Sequence, residues 1–221
     1  MSTYATFFCR ICYTLTQLFL PLHGGTLCDV SGKGIPAALF MMTAKTMIRS
    51  IALREPSPEK ILYGTNAAIE EFNEHNMFVT VWLGILEISS GKLTFADAGH
   101  ERMALLQGGE WKLMEKVHTG FGLGLFNHEE ALMLPERCRI VDQEVVLKPG
   151  DAIFQYTDGV TEATNSGKEL FHENRLLDAL NSAPSASPKA LIENVHSAIH
   201  DFVKDEPQFD DTTMLGLIYR P

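Results

Sequence analysis

The chain has 221 residues, 45% of them hydrophobic and 21% charged, with a formal net charge of −10. That length and composition suit one globular domain with a substantial core. The acidic balance and the lack of any Lys/Arg run argue against a nucleic-acid binder and against polybasic recruitment to a membrane surface. In chain order, Met1 to Leu22 comes first and is apolar. Its uncharged run, Ile11 to Leu22, contains Thr14, Thr16 and Gln17 and is too short to span a bilayer. No small-residue cleavage site follows Arg10, as a signal peptide would require. A buried strand or a shortened domain edge is expected there, with no membrane span and a cytoplasmic location. Cys9 and Cys12 form a C-x-x-C, but zinc would need a second such pair, and Cys28 and Cys138 do not make one. Reduced thiols in the cytosol are the simpler expectation.

Thr26 to Val30 predicts a short strand and Ile35 to Leu53 a helix, with Pro36 in its first turn, where a missing N–H costs little. Ser57-Pro58 predicts an N-cap and first residue for a helix running to about Asn73. The pattern then changes to period two. Phe78 to Ile88, a Ser90-Gly91 turn and Lys92 to Ala96 predict a hairpin; Met103 to Gln107, Gly108-Gly109 and Trp111 to Met114 predict another. Cys138 to Leu147 predicts a strand, Pro149-Gly150 a turn, and Ala152 to Tyr156 the next strand. Glu173 to Asn181 and Pro188 to Val203 predict helices, and Thr213 to Tyr219 a closing strand. This order lacks the βαβ alternation of a parallel sheet and fits antiparallel sheets with helices outside them.

Three aspartate-centred strings stand out: CDVSGKG (Cys28 to Gly34), QYTDGVTEA (Gln155 to Ala163) and FDDTT (Phe209 to Thr213). Each places a carboxylate where a strand meets a tight turn. Carboxylates without a His or Cys cluster suit a hard, oxygen-seeking cation such as Mg²⁺ or Mn²⁺. Taken singly, each aspartate is more simply read as a turn cap or part of a solvated acidic turn than as a metal ligand. SGKG is not a P-loop, because Gly34 rather than Ser or Thr follows Lys33. Ala98-Gly99-His100 follows a strand, and a lone histidine there is more often structural than catalytic. The glycine-rich GFGLG of Gly120 to Gly124 lacks a strand–helix context, so it is a weak candidate for cradling phosphate.

In combination and order, DVSGKGIPAALFMM, MFVTVWLGILE, GKLTFADAGH, LKPGDAIFQYTDGVTEATN and FDDTTMLGLI resemble the SpoIIE-like branch of the metal-dependent protein phosphatases, the protein phosphatase 2C superfamily. The resemblance spans roughly Asp29 to Tyr219. It implies an α+β fold, a sandwich of two antiparallel sheets flanked by helices. Residues 26–221 would form the phosphatase domain and residues 1–25 an atypical remnant of the first strands. It further implies two Mn²⁺ or Mg²⁺ ions. Asp29 would bridge them, the backbone carbonyl of Val30 would reach one, and Asp158 and Asp210 would hold the other. Gly32, Gly99, His100, Gly159 and Asp211 would be supporting residues, with Asp211 orienting a neighbouring group or water. The implied reaction is attack of a metal-activated water on phosphoserine or phosphothreonine of a protein partner, such as a bacterial anti-anti-sigma factor. A homodimer is compatible with it. Family members carry an acidic strand pair before DVSGKG, whereas here Asp29 is the first carboxylate. The alternative is therefore a catalytically weak or inactive module that binds a phosphoprotein.

Overall fold

The period-two stretches of the sequence pair into two five-stranded antiparallel sheets. In the computed structural model the described residues are 3–6, 13–19, 22–71, 73, 76–184, 187–207 and 210–220. The early elements are β1 (Thr3–Thr6), β2 (Tyr13–Phe19), β3 (Leu22–Val30), α1 (Ile35–Ala52), α2 (Pro58–Glu70), β4 (Val79–Glu87) and β5 (Lys92–Ala98). Next come β6 (Ala104–Gln107), β7 (Glu110–Leu113), α3 (His128–Met133) and β8 (Gln143–Val146). The chain closes with β9 (Ala152–Tyr156), the single turn α4 (Asp158–Thr161), α5 (His172–Asn181), α6 (Pro188–Val203) and β10 (Met214–Ile218). The fold class is α+β, as the order of elements predicts.

The chain divides into two compact units, one of Arg10–His100 with Lys116–Val146, the other of Met1–Cys9, Glu101–Glu115 and Leu147–Pro221. The first holds the sheet β2-β3-β4-β5-β8. Its α1 buries Ala37, Met41, Ala44, Ile48 and Ala52, spaced at three and four residues so that one stripe faces the core. Ser57 caps α2, its hydroxyl accepting from Lys60 N at 3.2 Å, with Pro58 as the first helical residue. The stripes of both helices pack with Val79, Val81, Leu83 and Ile85 of β4 in one apolar core.

The second unit holds the sheet β1-β10-β9-β6-β7. Every residue of β9 and of β10 is buried, which accounts for the apolar sequence of β10 and for that of β9, where Gln155 alone breaks the run and its side chain donates to Glu101 O at 2.7 Å. Leu176 and Leu180 of α5 and Leu191, Ile192 and Val195 of α6 pack with Trp111, Phe154 and Tyr156. Asn181 at the end of α5 grips the β7 backbone, accepting from Trp111 N at 2.8 Å and donating to Trp111 O at 3.1 Å.

Three expectations change. The strand expected from Thr26 starts earlier, at Leu22, so that Gly24 and Gly25 lie inside β3 opposite Ile85 and Gly84. The pairing carries through because β4 supplies a complete ladder there. Cys138 to Leu147 is not one strand: Glu136–Cys138 is a 3₁₀ turn, and only Gln143–Val146 pairs, with β5. The helix α3 was unforeseen. Its signal is local, a capping box in which Asn127 accepts from Glu130 N at 2.9 Å and Glu130 accepts from Asn127 N at 3.0 Å. Cys9 and Cys12 lie outside the described residues. Among the described residues no helix is long and apolar enough to cross a membrane.

Tyr156 is fully buried, and among the described residues its hydroxyl has no hydrogen-bond partner. Burial, aided by Glu101 and Glu173, pushes the phenol far above its ordinary range. Removing an unpartnered buried hydroxyl removes a desolvation cost. Tyr156→Phe is therefore expected to raise the unfolding free energy by about 1 kcal/mol, measured by urea denaturation. A loss of stability of that size would show that the hydroxyl is satisfied.

Candidate functional site

Asp158 opens α4 directly after Thr157, the residue that follows β9, while Asp210 and Asp211 precede β10. Because β9 and β10 are paired, with Met214 opposite Tyr156, the two acidic strings emerge at the same end of one ladder. Thr157 stitches them. Its N–H donates to Thr213 O at 3.1 Å, its hydroxyl donates to Asp211 O at 3.1 Å, and the same hydroxyl accepts from Thr213 N at 3.0 Å. Thr212 returns a bond, its hydroxyl donating to Gly159 O at 3.2 Å. Gly159 is required for steric reasons: a Cβ there would lie 2.4 Å from Asp211 O and 2.8 Å from Asp211 C. Asp210 Oδ1 accepts from Asp211 N at 2.8 Å, which orients the carboxylate from its own turn.

Glu162 ends the α4 turn, its N–H donating to Asp158 O at 2.8 Å. Its carboxyl is pushed above the ordinary glutamate range, first by burial and then by the charges of Asp158 and Asp210. The end of the β9–β10 ladder thus concentrates negative charge, a suitable setting for a cation.

The other acidic string sits in the other unit. Asp29 and Val30 are the last residues of β3, opposite Thr80 and Val79. Ser31 fastens the exit: its N–H donates to Phe78 O at 2.8 Å and its hydroxyl accepts from Phe78 N at 2.9 Å. Gly32 follows with φ +85°, a conformation that favours glycine. In the same unit His100 is buried, its N–H donating to Asp97 Oδ1 at 2.8 Å and its Nδ1 lying 2.9 Å from Thr80 Oγ1. Gly99, at φ +73°, has no room for a Cβ, which would meet Gly122 N at 2.9 Å. The GFGLG segment is thereby explained as packing rather than phosphate cradling. A Cβ on Gly120 would sit 2.0 Å from Asp97 O, and Leu123 exchanges backbone hydrogen bonds with Val79 at 2.8 and 3.0 Å.

The structure therefore gathers Asp158, Gly159, Asp210 and Asp211 in one unit, and Asp29, Val30, Gly32, Gly99 and His100 in the other. Sequence reasoning missed Thr157, Glu162, Thr80, Asp97 and Lys116. The threonines of YTD and DDTT carried a usable signal, since hydroxyls beside turn aspartates recur as backbone partners. Among the described residues no group of three or more His, Cys, Asp or Glu side chains is arranged to hold a metal ion. The Asp158–Asp210 pair still fits a hard cation that keeps most of its waters, because Mg²⁺ is commonly held by one or two carboxylates.

Asp211 acts through its backbone, as a clamp for Thr157 and a wall against Gly159, and this gives a sharp expectation. Gly159→Ala should force the Asp211–Thr212 segment away from α4, lowering thermal stability and Mn²⁺ affinity together. Differential scanning calorimetry and isothermal titration check it; an unchanged midpoint would contradict the close approach. Glu162 gives a second. A carboxyl whose folded pKa lies above its unfolded value is relatively stabilising at low pH, and that contribution is lost as pH rises through the folded pKa. Without added metal, Glu162→Gln should raise the melting temperature at neutral pH, and the gain should vanish below about pH 4, where the carboxyl is protonated in both states.

The family model for Stage II sporulation protein E (SpoIIE) matches residues 25–220. Protein IcfG of Synechocystis sp. is 28% identical over 235 residues, covering 94% of this chain and 35% of that protein. Phosphoserine phosphatase RsbU of Bacillus subtilis is 26% identical over 191 residues, covering 86% of this chain and 54% of RsbU. The chain thus spans about a third to a half of the length of these curated relatives. Among solved structures, the SiaA-PP2C domain of Pseudomonas aeruginosa superposes with a TM-score of 0.78 at 20% identity, covering 96% of this chain and 80% of that one. That likeness establishes the fold, which is of the protein phosphatase 2C type.

Proposed function

The chain belongs to the SpoIIE-like branch of the protein phosphatase 2C superfamily, and we propose that it hydrolyses phosphoserine or phosphothreonine on a protein substrate with two Mn²⁺ or Mg²⁺ ions. The observation that carries this reading is the pair Asp158 and Asp210 at the end of one strand ladder, where threonine hydroxyls tie the neighbouring backbone and where burial, and then the charges of the two aspartates, raise the Glu162 carboxyl. Asp158 and Asp210 would hold one ion; Asp29 and the Val30 carbonyl are further metal ligands that the family resemblance assigns. Bound ions would activate the attacking water and offset charge on the phosphoryl group. The protein's own part is to keep the carboxylates oriented before the ions arrive. Thr157 does so by pinning Asp211 and Thr213, and Asp211 N does so by donating to Asp210.

The similarity to RsbU, a phosphoserine phosphatase, supports phosphoserine as the group hydrolysed; the family resemblance makes a bacterial signalling regulator, such as an anti-anti-sigma factor, the first candidate substrate. A cytoplasmic location follows from that substrate. The second reading, a weak or inactive module that binds a phosphoprotein, is favoured by one observation: the stretch Ile11 to Gly25, leading into DVSGKG, contains no acidic residue.

Hydrolysis of a chromogenic phosphate ester and of a phosphoserine peptide, in Mn²⁺, in Mg²⁺ and in EDTA, separates the two. Turnover is expected with either ion and none with EDTA. Asp158→Asn and Asp210→Asn should each lower Mn²⁺ affinity by at least about tenfold, the floor set by losses of mere outer-shell partners. Phosphopeptide binding without turnover in any metal would establish the second reading. Unchanged Mn²⁺ affinity in both variants would end the metal assignment.

A further inference from the structure

Thr80, His100, Asp97 and Lys116 form a polar cluster in the β3–β4 unit that the phosphatase reading does not by itself require. Thr80 stands directly opposite Asp29 in the β3–β4 register, and its hydroxyl lies 3.5 Å from the Asp29 carbonyl, at the outer limit of a hydrogen bond. The same hydroxyl lies 2.9 Å from His100 Nδ1. His100 is 4% exposed and Asp97 is 7% exposed. Asp97 Oδ1 accepts from His100 N at 2.8 Å, and its other oxygen faces Lys116 Nζ at 3.4 Å. Lys116 Nζ also donates to the His100 carbonyl. One carboxylate and one ammonium therefore grip the backbone on either side of the His100 Cα, and the imidazole is presented to Thr80.

Two glycines make this grip possible from the other side. Gly99 and Gly120 have positive φ, and a Cβ on either would strike the backbone of the facing segment, Gly122 N in one case and Asp97 O in the other. Backbone packing at that density leaves His100 little freedom to turn. The hydroxyl of Thr80 has one proton. A carbonyl oxygen can only accept, so if Thr80 donates to Asp29 O, the imidazole must donate to Thr80 through Nδ1–H. The direction of the whole chain of bonds is then determined.

We propose that Lys116, Asp97, His100 and Thr80 form a positioning relay that holds the Asp29–Val30 end of β3 in the geometry needed to bind metal. This rests on the reading of Asp29 as a metal ligand. In it the ADAGH and MFVT strings and the GFGLG loop serve one purpose: the first supplies the imidazole and its anchor, the second the hydroxyl, the third the packing wall.

The test is isothermal titration of the full chain with Mn²⁺, beside ¹⁵N NMR of the histidine side chain at about pH 8, above the ordinary histidine pKa. The NMR should show His100 protonated at Nδ1. Thr80→Val, which keeps the shape and removes the hydroxyl, should lower Mn²⁺ affinity about 10- to 100-fold, the range for outer-shell partners. Thr80→Ser, which keeps the hydroxyl, should restore it. Asp97→Asn should weaken binding in the same direction, and it stands in if Thr80→Val does not fold. Wild-type affinity in the folded Thr80→Val or Asp97→Asn protein, with Asp29→Asn weakened, would overturn the relay and leave the metal reading standing. Equal losses in Thr80→Val and Thr80→Ser, or an Nε2–H tautomer, would also overturn it. Wild-type affinity in Asp29→Asn would overturn the ligand reading and the relay with it.

Discussion

The geometry at the acidic end of the β9–β10 ladder depends on one close approach, that of the Thr157–Gly159 turn to the Asp211–Thr213 segment. The Asp211 carbonyl serves twice there, accepting from the Thr157 hydroxyl and lying where a Cβ of residue 159 would have to go. A hydroxyl that both donates and accepts can tie a carbonyl and an N–H of the same segment at once, and Thr157 does this to Asp211 and Thr213. A glycine at 159 lets the segment approach closely enough for those bonds to form. The carboxylates of Asp158 and Asp210 then inherit their placement from backbone hydrogen bonds, without needing to attract each other. Burial first, and then the charges of Asp158 and Asp210, raise the Glu162 carboxyl beside them, and the stitching is backed by fully buried strands.

The β3–β4 unit uses the same devices differently. Its aspartate leaves a strand paired with the largely buried β4, so Asp29 and Val30 are positioned by a ladder that runs unbroken from Leu22 to Val30. The turn that follows is held by Ser31 rather than by threonine, and the buried charge beside it, Asp97, is matched by Lys116. Pairing a buried carboxylate in this way avoids the large cost of leaving it alone.

Much of the architecture was legible in the sequence because it rests on local rules. Pro36 and the Ser57-Pro58 pair mark two helix starts, and period-two runs mark the hairpins through β4–β5 and β6–β7. Ala152–Tyr156 and Pro188–Val203 have the bounds that their composition suggests. Where the expectation failed, a non-local partner was decisive. Gly24 and Gly25 have turn chemistry, yet they are paired strand residues because β4 satisfies their backbone groups. Around Cys138 the apolar pattern suggests a strand, but only Gln143–Val146 finds a partner edge, and the stretch before it curls on its own backbone.

The sequence by itself determined the residue types at the acidic ends and their order along the chain, and with them the family and the α+β class. An aspartate after a strand, a glycine beside it and a threonine before it are local choices, readable one string at a time. Only the tertiary structure decided what each neighbour does: that Gly159 makes room for the Asp211 carbonyl, that GFGLG packs on the His100 loop instead of cradling phosphate, and that Thr80 faces Asp29 across a ladder. The reason is physical. Steric exclusion by a Cβ and the pairing of a buried polar atom depend on which atoms arrive from segments dozens of residues away, and register between strands is a property of the sheet rather than of either string.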